Sequence, residues 1–140
     1  MKIKNILLGS DPELFIKNNL NQITTPLYIV NGDKTFPAPL SVDGFFIQRD
    51  NMALEFCIPP AESVYEFVKN IDLGMYLSVE SLPEGYDVAP IPSIVFPKEL
   101  IDNDIDAQVF GCDPDFSAYT NSVNAKPKAK NKYLRSSGGQ

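Results

Sequence analysis

The 140 residues carry 18 acids against 12 basic side chains, for a net charge of −6, and no histidine at all. That length makes a single domain over 1–140 the expectation, of a size that buries about 70% of its unfolded surface. The negative charge argues against nucleic acid as a partner, and the missing histidine removes the commonest general base and metal ligand.

No run reaches the roughly 18 uncharged apolar residues of a membrane helix. The apolar start "NILLG" gives way to acids too soon for a signal peptide. A cytoplasmic protein with no membrane partner is therefore expected. Cys57 and Cys112 form no CxxC pair and read as free, partly buried thiols. No GxxxxGK[ST] and no GxGxxG occurs, which argues against a P-loop or dinucleotide fold.

In chain order, residues 3–18 read as a strand with a turn at Asn18-Asn19. Asp11 and Glu13 lie two apart, so on a strand both carboxylates share a side. Residues 31–44 read as loop, from two Gly and two Pro. "FFIQRDNMALEFCI" (45–58) reads as a hairpin with its turn near Asp50-Asn51. Glu55 interrupts its apolar second arm, where a buried charge is costly without a partner. Residues 61–82 form the clearest helix. Val64, Phe67, Val68, Ile71, Met75, Ser78, Val79 and Leu82 follow the spacing of one buried face, with Glu62 and Glu66 on the solvated side.

Residues 86–96 read as a strand interrupted by proline, 97–104 as a short helix or turn, and "AQVFGC" (107–112) as a strand. Lys126, Lys128, Lys130, Lys132 and Arg135 crowd the end of the chain as a solvated basic segment, or as a loop over a phosphate. "KYLRSSGGQ" reads as a final strand that stops abruptly. Strands outnumber helices and do not alternate with them. The expected fold class is α+β, a mostly antiparallel sheet with one main helix packed on it.

Three acidic places stand out: Asp11/Glu13, Glu55 and Asp113/Asp115. Hard oxygen donors of this kind suit Mg2+, above all when the metal also carries nucleotide phosphates. Each acid could instead cap a turn, and for Asp113 and Asp115 the turn is the simpler reading.

"GSDPELF", "QRDNMALEFCIPPAES", "VFGCDPDFSAYT" and "LRSSGG" occur in this order. In this the chain resembles the phage-type carboxylate–amine ligases, or amidoligases, which are similar in catalytic fold to glutamine synthetase. The resemblance implies an ATP- and Mg2+-dependent enzyme that activates a carboxylate as an acyl phosphate and passes it to an amine. It implies Glu13 and Glu55 as metal ligands and Arg135 near the nucleotide phosphates. Asp113 and Asp115 would then shape the substrate side. It implies no particular catalytic side chain. Relatives continue past the glycine pair with a histidine-containing strand, so the resemblance covers the N-terminal half of such a domain. The expectation is a chain inactive alone, associating with itself through an unpartnered last strand or with a second-half polypeptide. The alternative is a non-catalytic, ligase-derived binding or structural protein, phage-encoded in either case.

Overall fold

The computed structural model describes residues 6–108, 116–125 and 131–137. Strand β1 (Glu13–Asn18) is the hub of a six-stranded antiparallel sheet. Its first two residues pair with β5 (Ala53–Cys57), its last four with β6 (Tyr86–Ala89), and Ile16-Lys17 with β2 (Ile23–Thr24). Beyond β5 lie β4 (Phe46–Asp50) and then β3 (Ala38–Pro39). The expected strand over 3–18 starts only at Glu13, and Leu8 makes an isolated bridge to Ala61. Asn18 closes the β1–β2 turn by accepting the backbone N–H groups of Leu20 and Gln22, each at 3.0 Å. The β4–β5 hairpin turns at Asn51-Met52, with Asn51 at φ 53°, a left-handed backbone that asparagine tolerates better than most residues.

Side chains alternate across the strands, so the sheet carries a core on each face. Ile16, Ile47, Leu54 and Phe56 face helix α1 (Val64–Glu80). Phe15, Ala53 and Ala89 face the other way. They are covered by Phe96, Ile101 and Ala107, and the Phe15 and Phe96 rings meet edge-on at 5.4 Å. This second layer comprises β7 (Ser93–Val95), the short α2 (Lys98–Asp102), a 3-10 turn at Asp106–Gln108 and β10 (Leu134–Ser136). Strands β8 (Phe116–Ser117) and β9 (Ser122–Val123) form a separate small hairpin.

Ser63 caps α1 by accepting the Glu66 N–H at 3.2 Å, while the Glu66 carboxylate accepts the Glu62 N–H at 2.7 Å. Glu66 is thus part of the cap, in the Ser-x-x-Glu pattern, besides standing on a solvated face. The buried face of α1 differs from the expected stripe. Gly74, Leu77 and Ser78 are buried, with Phe67, Ile71 and Met75 partly so. Val64 and Val68 are exposed. The reason is close approach: a Cβ on Gly74 would stand 2.7 Å from the Phe56 ring, so the helix seats itself on its smallest residues.

Two further expectations change. Ala107 and Gln108 lie in the 3-10 turn, not a strand; the rest of that segment, with Cys112, Asp113 and Asp115, is outside the described residues. So are Lys126, Lys128 and Lys130. The last strand has a partner, since all three residues of β10 pair with β7. No described helix is long and apolar enough to cross a membrane.

Candidate metal centre

Pairing of β1 with β5 sets Glu13 directly opposite Glu55. Glu55 in turn lies opposite Gln48 on β4, and Asp50 follows two residues later on the same face. One carboxylate oxygen from each of Glu13, Asp50 and Glu55 lies within 4.8 Å of the other two. Like charges directly opposite in a sheet repel, so this pairing stabilises the fold only if something offsets the charge. Gln48 and Lys34 both offset it. Gln48 donates its amide Nε2 to Glu55 Oε1 at 3.0 Å. Lys34 places its ammonium 2.7 Å from Asp50.

Glu55 is buried, and burial is the main cause of a carboxyl pKa raised to about 7. The Gln48 hydrogen bond works against that rise, and the charges of Asp50 and Asp11 add to it. Asp11 thus lies close enough to be felt by Glu55, as its shared side with Glu13 suggests. Cys57, two residues after Glu55, is a half-buried free thiol. Burial first, then the charges of Glu55 and Asp11, push it above its ordinary value, so it is a poor nucleophile.

The donor set is three hard carboxylates on a rigid hairpin and its neighbouring strand, with the Gln48 hydrogen bond orienting the buried member. That composition fits Mg2+ or Mn2+ better than a soft or borderline ion. Asp50 was visible in the sequence only as a turn residue. Its place beside Glu55 follows from the two-residue hairpin turn. Lys34 carried no sequence signal for the site.

Arg135 lies beside the β4–β5 turn and the 3-10 turn. Its guanidinium donates to Asn51 Oδ1 at 3.1 Å, Ala107 O at 2.6 Å, Leu134 O at 3.0 Å and the Lys132 carbonyl. Burial pulls its pKa down from the ordinary arginine value. It fastens β10 to the β4–β5 turn and the 3-10 turn. Arg135→Met should therefore cost about 1–3 kcal/mol through carbonyls left without donors. Arg135→Lys should recover little, because an ammonium lacks the planar fork. A urea midpoint unchanged in both variants would contradict this fastening role.

Arg49 does a related job. It pairs with the buried Asp104 at 3.3 Å and with Asp106. Asp104 also accepts the backbone N–H groups of Asp106 and Ala107 at 3.1 and 3.3 Å. Comparison of the chain with protein-family models, with curated proteins and with solved structures finds no match.

Proposed function

We propose that this chain carries the metal-holding strands of an ATP- and Mg2+-dependent carboxylate–amine ligase, a half of a glutamine-synthetase-like domain. The observation that supports this most is the convergence of Glu13, Asp50 and Glu55 on one face of adjoining strands. These three residues would hold the ion. When bound, Mg2+ would neutralise charge on nucleotide phosphates during transfer to a carboxylate. Gln48 keeps the Glu55 carboxylate in one orientation. Burial of Glu55 limits water at that ligand and strengthens its attraction for a cation.

Phosphoryl transfer also needs cationic groups on the phosphates. The chain has two arginines, and each donates to protein partners, Arg49 to Asp104 and Asp106 and Arg135 to Asn51 and Ala107. The resemblance covers only the N-terminal half of such a domain, so residues 1–140 alone should form no amide from a carboxylate, an amine and Mg-ATP until groups from a second polypeptide join them. The same commitment of both arginines favours a second reading, a ligase-derived protein that binds without catalysing.

Calorimetric titration tests the metal assignment. Three carboxylates without phosphates leave several ligand positions to water, so Mg2+ should bind weakly, with Kd in the millimolar range. Glu55→Gln and Glu13→Gln should each abolish measurable binding. Tight binding that survives Glu55→Gln would sink the assignment. Amide formation by this chain alone would refute the need for a partner and also the non-catalytic reading.

A further inference from the structure

Beyond the three acids, the cluster has a fourth member of opposite sign. Lys34 sits on the loop between Gly32 and Pro37, which bridge each other. That loop is firmly built. Asp33 Oδ1 accepts the N–H groups of Thr35 and Phe36 at 2.8 and 2.9 Å. Gly32 has φ +84°, and a Cβ there would meet Ala38 N at 2.5 Å and Ile47 O at 2.7 Å, so only glycine fits. The Gly32 carbonyl accepts the Arg49 N–H at 3.2 Å, tying the loop to β4. The outcome is an ammonium held 2.7 Å from Asp50, whose side chain is only 13% exposed.

From this we infer that Lys34 is a built-in counter-ion that competes with a divalent cation for the acidic cluster. The inference rests on the metal reading given above and adds a regulatory element to it. The Lys34 ammonium takes one of the acceptor sites of the Asp50 carboxylate, 2.7 Å from its Oδ2. An ammonium beside the ion would also repel it. Metal binding is thus favoured when Lys34 swings away, which its long stem and 44% exposed side chain permit without moving the loop. Lys34 then offsets the charge of Asp50 in the metal-free sheet, at the expense of divalent affinity.

The test is a Mn2+ titration of the wild-type chain, Lys34→Met and Lys34→Arg, with thermal melts of each in the presence of a chelator. Lys34→Met should bind Mn2+ roughly fivefold more tightly, the factor that a partly exposed ion pair carries. Lys34→Arg keeps the charge and should stay near wild type. Without metal, Lys34→Met should melt below wild type, and saturating Mn2+ should close that gap. Equal affinity in all three chains would overturn the competition while leaving the metal reading standing. Binding by none of them would overturn both.

Discussion

The metal-free protein should lose stability as pH rises from about 4.5 to about 7, and Glu55→Gln should remove most of that loss. The Glu55 carboxyl has its pKa raised from 4.5 to about 7, chiefly by burial. Between those values the folded chain holds a proton that the unfolded chain has released. Stability falls with pH wherever the folded state binds more protons. The favourable contribution is complete below the unfolded value and is gone once pH has passed the folded value. Its size is on the order of 3 kcal/mol, a large share of the 5–15 kcal/mol typical of a domain.

Glu55→Gln keeps the shape and a partner for Gln48 but carries no charge. Near pH 8 it should therefore be more stable than wild type, and near pH 4 about equal. Saturating Mg2+ should flatten the wild-type profile in the same window, because a bound cation favours the carboxylate. Urea midpoints for both proteins across the window decide the matter. Parallel pH profiles would show that Glu55 titrates as an ordinary glutamate.

The second large effect lies on the opposite face of the same strand. Phe56→Ala should cost roughly 3–5 kcal/mol. Its ring is fully buried and forms the floor on which α1 rests at Gly74. Gly74→Ala tests the contact from the helix side. Alanine gains about 1 kcal/mol of helix propensity, but its Cβ would stand 2.7 Å from the Phe56 ring. Overpacking of this kind costs about 1–3 kcal/mol, so the net change should be destabilising. Phe56→Leu removes the ring edge, and in that background Gly74→Ala should become neutral or favourable. A double-mutant cycle on denaturation midpoints reads the coupling. Additive changes would mean that helix and sheet do not touch at this point.

Much of this protein was legible from local pattern. Alternation alone puts Glu55 and Phe56 on opposite faces, and the spacing of 45–58 forecasts the hairpin that carries both. Helix α1 announced itself through its period, whereas its Ser63-x-x-Glu66 cap became apparent only in the structure. Other features depend on distant parts of the chain. The register that sets Glu13 against Glu55 comes from pairing β1 with a strand far along the sequence, and no local signal encodes that choice. Helix rotation escaped because periodicity rewards large apolar residues, whereas a helix pressed onto a flat ring wants small ones. Hence Gly74 is buried although it was no part of the expected stripe, while Val64 and Val68 face solvent. Strands of two residues, such as β2 and β3, are too short to carry an alternating pattern. Arg135 donates to the Asn51 side chain and to the Ala107 carbonyl, contacts that no local pattern announced. The sequence supplied the acids; the tertiary fold decided that three of them meet and that Lys34 meets them there, because electrostatic neighbours are chosen by strand register and loop closure rather than by proximity along the chain.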